Sequence, residues 1–132
     1  MPYIPSMDPV TGLSLGRILI GAAALASPTQ SAKISGLDPE ANPHLDYFTR
    51  MFGAREVALG AITLVSRGAL RRNLTLVGIA VDGADAVTGV LGLTEGRLPK
   101  GASGILLGAG LGAAASGLSG LARRRTTAAV EV

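Results

Sequence analysis

The chain has 132 residues, of which 48% are hydrophobic and only 16% are charged. This length predicts a single domain over residues 1–132, and the apolar composition excludes a disordered chain. The sequence contains no Cys and one His, which excludes disulfide scaffolds and thiolate chemistry and leaves multi-His zinc sites unsupported. We therefore expect a protein that is not an enzyme and that needs no cofactor and no metal. The low charge and the mean hydropathy of +0.44 indicate a membrane protein.

Four apolar stretches are separated by polar segments, and they cover residues 10–27, 48–66, 74–94 and 101–122. Each has about the 20 residues that a helix needs to cross the hydrocarbon core of a bilayer. The fourth stretch has no charged residue, so it offers no polar face to water. The sequence therefore predicts an all-α integral membrane four-helix bundle.

A cleaved secretory signal is the alternative interpretation of the first stretch. Ala24-Leu25-Ala26 resembles a cleavage site made of small residues. No Lys or Arg precedes Arg17, however, and Asp8 lies where a signal would be basic. This pattern favours a retained transmembrane helix.

The basic residues of the loops predict the orientation. Six lie on one side of the predicted membrane, Arg67, Arg71, Arg72, Arg123, Arg124 and Arg125, and three lie on the other, Lys33, Arg97 and Lys100. The positive-inside rule then places both termini in the cytoplasm of a multi-pass plasma (inner) membrane protein. Residues 28–47 become an ordered, Pro-containing extracytoplasmic loop, and residues 123–132 a basic cytoplasmic tail. We expect the six arginines to anchor the chain to anionic lipid headgroups, and we expect no nucleic acid partner.

Charged residues lie inside three of the predicted spans. On an insertion scale, Arg55 and Glu56 in the middle of the second span cost roughly 5 to 7 kcal/mol, more than the roughly 2 to 4 kcal/mol that its apolar residues return. At about 1.5 Å per residue, these two residues, Arg17, Asp82 and Asp85 fall at nearly the same depth. We therefore predict a buried charge cluster in which Arg17 and Arg55 face Asp82, Asp85 and Glu56.

This cluster has two interpretations. Intramembrane ionisable groups commonly serve as proton or ion relays, and three acids against two bases leave one carboxyl to hold a titratable proton. Alternatively, the cluster is a neutralised network that fixes the order and register of the helices. The small size of the bundle favours the structural interpretation.

The fourth span carries small residues at every fourth position, Gly104, Gly108, Gly112, Ser116 and Gly120. Such a stripe lets helix backbones approach closely. It predicts either packing of this helix on its neighbours or contact with a membrane-protein partner or a second copy.

The segment Phe52-Gly53-Ala54-Arg55-Glu56-Val57-Ala58-Leu59-Gly60 resembles the Arg-acid-aliphatic-x-Leu-Gly motif of a family of small, uncharacterised actinobacterial four-helix integral membrane proteins, a domain of unknown function. The resemblance covers roughly residues 10–120. It implies a four-helix membrane protein with an Arg55-Glu56 pair and acidic residues on the third helix. It implies no reaction.

We therefore expect a non-enzymatic membrane protein that is an accessory or structural subunit of a larger membrane complex, or a small homo-oligomer. The alternative is a small proton-coupled carrier or permease that uses Asp82, Asp85 and Glu56. A third possibility, an enzyme acting on lipid or quinone, has only the bundle and the two aspartates in its favour.

Overall fold

The computed structural model describes the backbone of residues 8–130 and the side chains of residues 8–123. Residues 8–130 form five α-helices and no strand: α1 (Pro9–Ala26), α2 (Pro28–Ile34), α3 (Leu45–Val65), α4 (Gly68–Glu95) and α5 (Lys100–Val130). The predicted all-α class is therefore confirmed for this part of the chain.

Three of the described helices are long and apolar enough to cross a membrane, namely α1, α4 and the Lys100–Arg123 part of α5. Helix α3 has sufficient length with 21 residues, but Asp46, Arg50, Arg55 and Glu56 lower its hydropathy. By length and composition alone, the structure thus supports three of the four predicted spans.

The local sequence explains where α1 begins and ends. The Asp8 carboxylate accepts hydrogen bonds from the backbone N–H groups of Val10 (3.0 Å) and Thr11 (3.1 Å). Pro9 lies in the first turn, where a backbone N–H has no partner within the helix, so its lack of an N–H costs no hydrogen bond. At the other end, Pro28 disfavours helical geometry at Ser27, so α1 stops and α2 starts.

The helices extend beyond the apolar stretches that predicted them. Helix α3 begins at Leu45 and α4 at Gly68, so residues predicted as loop are helical, and α5 runs to Val130 through the predicted tail. Helix boundaries depend on caps and local contacts and not on hydropathy alone. Hydropathy therefore predicts the length of the apolar segment better than the length of the helix.

The predicted loop of residues 28–47 contains the short helix α2 and an ordered turn. Thr29 in α2 donates a hydrogen bond to Asp46 near the start of α3, at 2.9 Å. In the turn, the Asp38 carboxylate accepts from the backbone N–H groups of Glu40 and Ala41. The Thr29–Asp46 bond holds α2 against the start of α3, and the Asp38 bonds order the turn.

Helices α1 and α3 pack closely along most of their length in antiparallel orientation. Their buried residues alternate at spacings of three and four: Val10, Ser14, Arg17, Gly21 and Ala24 on α1, and Gly53, Glu56, Gly60 and Thr63 on α3. This is the spacing of a coiled-coil seam. A Cβ atom added to Gly21 would lie 2.6 Å from the Gly53 carbonyl oxygen, so the backbones touch.

Helices α4 and α5 form a second antiparallel pair in the same manner. A Cβ atom added to Gly89 would lie 2.8 Å from the Ser103 carbonyl oxygen, and one added to Gly110 would lie 2.6 Å from that of Asp82. Contacts between this pair and the α1–α3 pair are sparser. The charged side chains lie where the two pairs meet.

Candidate functional site

The charged residues of α1, α3 and α4 lie at the centres of their helices. Arg17 is at the middle of α1, Arg55 is the middle residue of α3, and Asp82 is at the middle of α4. Because the three helices are packed side by side, their centres form one layer. The structure brings all five predicted cluster residues together in this layer.

The five side chains form a continuous chain of alternating charge. Arg17 donates to the Glu56 carboxylate, at 2.9 Å, and to that of Asp82. Arg55 donates two hydrogen bonds to Asp85, at 2.8 and 3.4 Å, and one to the other Glu56 oxygen, at 3.3 Å. The order is therefore Asp82, Arg17, Glu56, Arg55, Asp85. The bonded residues thus start on α4, continue through α1 and α3, and end on α4. We call these five residues the ionic chain.

The two ends of the ionic chain differ in exposure. The side chains of Arg17, Glu56 and Asp82 are 5 to 7% exposed, whereas those of Arg55 and Asp85 are 38% and 23% exposed. Charges as deeply buried as the first three persist in proteins only when they are paired and hydrogen-bonded. The buried end thus ties the helices together, and the Arg55–Asp85 end opens at the surface between α3 and α4.

Glycines make room for the buried end. The Arg17 guanidinium lies against Gly78, whose carbonyl oxygen accepts a long hydrogen bond of 3.5 Å, and a Cβ atom there would be 3.1 Å from the guanidinium. Gly60 similarly admits the backbone of α1. Neither glycine belongs to the predicted stripe with its spacing of four. For Gly60 the signal in the sequence was its spacing of seven from Gly53, whereas Gly78 has no such partner.

A small cavity of about 10 Å³ lies beside Arg17. Its lining is mainly apolar, with Leu13, Leu59 and Leu74, and its polar groups come from Ser14, Thr63 and Thr75. At the α1 N-terminal end, Arg71 donates to the Thr63 carbonyl oxygen, to Thr11 Oγ1 and to Asp8. The polar groups near Arg17 thus extend towards one face of the molecule.

The predicted stripe on α5 is not the surface through which α5 packs on α4. Cβ atoms added to Gly104, Gly108 and Gly112 would meet no other atom within 4 Å, whereas one at Gly120 would strike Val10. Ser116 is half-buried and donates to the Gly112 carbonyl oxygen of its own helix. Internal packing instead uses Ser103, Gly110 and Gly117. The prediction of internal packing is therefore wrong for the first three glycines, and contact with a partner stays a prediction.

The arginines predicted to bind headgroups fall into three groups. Arg67 and Arg72 are exposed beside the start of α4, and Arg123 is exposed on α5. Arg71 is engaged with the protein, and its side chain is only 18% exposed. The side chains of Arg124 and Arg125 lie outside the described residues. Headgroup binding thus stays a prediction, with Arg71 in a different environment from the one expected.

The Asp8 carboxylate gives the N-terminal end of the molecule a defined pH response. Partial burial opposes its ionisation, but hydrogen bonds from Thr11 and Val10 and the charge of Arg71 outweigh that effect and lower the pKa of Asp8. The folded chain therefore binds this proton less readily than the unfolded chain, so this contribution to stability is present at neutral pH and disappears as the pH falls through the lowered pKa. We expect the thermal midpoint in detergent to fall by more for the wild type than for Asp8→Asn as the pH is lowered from neutrality through that range. Equal falls would contradict this assignment.

Residues 8–123 contain no group of three His, Asp or Glu side chains that is arranged to hold a metal ion. No protein-family model, curated protein or solved structure matches the chain. The family resemblance of residues 52–60 therefore stays a prediction. The geometry of the ionic chain and the surfaces around it are what bear on function.

Proposed function

We propose that this chain is a non-enzymatic plasma membrane protein in which α1, α3, α4 and α5 form a four-helix transmembrane bundle. It acts as a structural or accessory subunit of a larger membrane assembly or of a small homo-oligomer. The observation that carries this proposal is the ionic chain, because it joins α1, α3 and α4 through hydrogen-bonded side chains of opposite charge.

The ionic chain also explains how α3 spans the membrane despite its composition. Alone, α3 would expose Arg55 and Glu56 to lipid at a cost that its apolar residues do not offset. In the folded chain, both residues are bonded to side chains of α1 and α4. The bonds formed when the bundle assembles then offset the cost of inserting α3 into lipid. We therefore expect the helices to be stable in the membrane together and not separately.

The positions of the helix ends support a topology with both termini in the cytoplasm. Asp8 before α1 contacts Arg71 in the first turns of α4, so these two ends share one side. Helix α5 is antiparallel to α4, which brings Arg123 to the same side. Arg67, Arg71, Arg72 and Arg123 thus lie at one face, and the positive-inside rule assigns such a face to the cytoplasm.

Single-cysteine labelling tests whether α3 spans. Since the chain has no Cys, the variants Glu40→Cys, in the exposed turn before α3, and Ala69→Cys, at the exposed start of α4, each carry one thiol. We expect a membrane-impermeant maleimide to label Glu40→Cys in intact cells and Ala69→Cys only after lysis. Labelling of both from the same side would show that α3 does not cross, and would overturn the four-span topology.

Purification in a mild detergent followed by native mass spectrometry tests the subunit role. We expect a stoichiometric complex that contains either a second membrane protein or further copies of this chain. A monomer as the sole species, under conditions that keep known membrane complexes intact, would contradict the proposal.

A proton-coupled carrier is the second candidate, and one observation favours it. The ionic chain contains three carboxylates and two guanidiniums, so one carboxylate is in excess. A carrier would move protons across proteoliposomes that hold a pH-sensitive dye, and Asp82→Asn would abolish the flux. For a structural subunit, we expect wild-type proteoliposomes to match protein-free vesicles.

A further inference from the structure

The exposed end of the ionic chain lies at the depth where an uncovered charge is least favourable. Arg55 is the middle residue of α3, and its side chain is 38% exposed even though the Phe52 ring lies 5.1 Å from its guanidinium carbon. A guanidinium at the centre of a membrane span is strongly unfavourable unless it faces protein or water. Its environment within one copy of the chain is therefore incomplete.

The chemistry of this end identifies what would complete it. Arg55 makes three hydrogen bonds within the described residues, but a guanidinium has five N–H groups. Within the same residues, Asp85 accepts hydrogen bonds from Arg55 alone, so its oxygens have unused lone pairs, and 23% of its side chain is exposed. A matching surface must therefore offer both an acceptor and a donor at the centre of the membrane.

A second copy of the same surface meets that requirement. In a twofold arrangement about an axis along the membrane normal, α3 of each copy lies beside α4 of the other, at equal depth. Arg55 of one copy then faces Asp85 of the other, and the reverse pair forms by symmetry. The patch is self-complementary because it carries one charge of each sign.

The residues around the pair provide a surface on which helices can pack. On α3, exposed residues recur with Arg55 at coiled-coil spacing, namely Met51, Ala58 and Ile62. On α4, exposed residues also lie within about two turns of Asp85, namely Val77, Ala84 and Thr88. Both sets are apolar or small, and neither belongs to the buried seams of α3 and α4.

We propose that the surface between α3 and α4, centred on Arg55 and Asp85, is a twofold interface with a second copy of this chain. The proposal rests on the function proposed above, since it needs α3 inside the membrane. It names the partner as a second copy and the contact as α3 against α4. The glycine stripe of α5 is then not the dimer contact.

Cross-linking between two tagged copies tests the interface. One copy carries Ile62→Cys and the other Val77→Cys, and both positions are exposed. Because α3 and α4 are antiparallel, Ile62 lies seven residues from Arg55 and Val77 lies eight residues from Asp85 in the same direction, so the two thiols differ in depth by about 1.5 Å. Because the wild-type chain has no Cys, a disulfide can form only between copies. We expect an oxidant to produce covalent dimer in membranes from this pair. The matched control is Gly112→Cys in both copies, at the middle of the α5 stripe, and we expect no dimer from it.

Exchange of the two charges provides a second readout. Alone, Arg55→Asp and Asp85→Arg each place like charges across the interface, and we expect the dimer fraction to fall about tenfold or more. Co-expressed in one membrane, the two variants restore both intermolecular pairs. The aspartate introduced at position 55 of one copy faces the arginine introduced at position 85 of the other, and the two unchanged residues face each other. We expect the mixed dimer to recover.

The outcomes separate this inference from the proposed function. Dimer from Gly112→Cys but not from the Ile62→Cys and Val77→Cys pair would overturn the interface and leave a homo-oligomer intact. No dimer from either pair would also overturn the inference. In that case, native mass spectrometry would decide whether a different subunit is present or the subunit role itself fails.

Discussion

Arg17→Leu is expected to destabilise the folded chain by about 3 to 5 kcal/mol, the usual result of removing one partner from a buried ion pair. Arg17 bridges Glu56 and Asp82, and all three side chains are buried, so the substitution leaves Asp82 without its bonded cation. The loss should appear as a lower thermal midpoint and a smaller monodisperse fraction in size-exclusion chromatography. These readouts suit a chain without Trp.

Two further variants make this prediction specific to the ionic chain. Arg50→Leu removes an exposed arginine from α3 and should change stability by no more than about 0.5 kcal/mol. Arg17→Leu combined with Asp82→Asn restores the original balance of charges and leaves Glu56 with Arg55, so most of the loss should be recovered. A double variant no more stable than Arg17→Leu would disprove the pairing.

Gly21→Ala is expected to be the second severe change, with a loss of about 1 to 3 kcal/mol from overpacking. The added methyl would lie 2.6 Å from the Gly53 carbonyl oxygen and 2.9 Å from the Val57 nitrogen. Both are backbone atoms, so α1 and α3 must move apart. Because Arg17 lies one turn away on the same helix, that movement would also lengthen its bond to Glu56.

Gly16→Ala is the matched control on the same helix. A Cβ atom at Gly16 meets nothing within 4 Å. Alanine is a better helix former than glycine by about 1 kcal/mol, so this change should be neutral or stabilising. The two substitutions are chemically identical. If Gly21→Ala lowers the thermal midpoint and Gly16→Ala does not, the difference is attributable to the α1–α3 contact. Equal effects would show that helix propensity alone decides.

Helix α5 shows why a repeat in the sequence does not by itself identify a contact surface. The spacing of four in Gly104, Gly108 and Gly112 is real, but these residues face outwards. The residues of α5 that contact α4 are Ser103, Gly110 and Gly117, which are seven residues apart. This spacing arises because two packed antiparallel helices stay in contact at alternating intervals of three and four residues, which sum to seven. A helix rich in small residues contains both the spacing of four and the spacing of seven, and the helix packed against it determines which set forms the contact.

Sequence reasoning was also limited at the helix ends. The apolar stretch beginning at residue 74 predicted the third span, yet α4 begins at Gly68 and includes Arg71 and Arg72. Hydropathy gave no sign of α2 either, since seven residues with no clear hydrophobic period resemble a loop. These errors share a cause: hydropathy reports preference for lipid, whereas helix boundaries depend on caps and on local tertiary contacts.

The sequence by itself predicted the helical class and a common level for five charged residues along their helices, because rise per residue converts sequence position into position along the helix axis. It could not determine which charges are bonded to each other. That choice depends on the rotation of each helix about its axis and on which helices are neighbours. The glycine contacts of α1 with α3 and of α4 with α5 determine the rotation and the neighbours of each helix. As a result, Arg17 is bonded to Glu56 and Asp82, and Arg55 is bonded to Asp85. The tertiary structure thus decided the order of bonding in the ionic chain and left one end buried and the other end exposed.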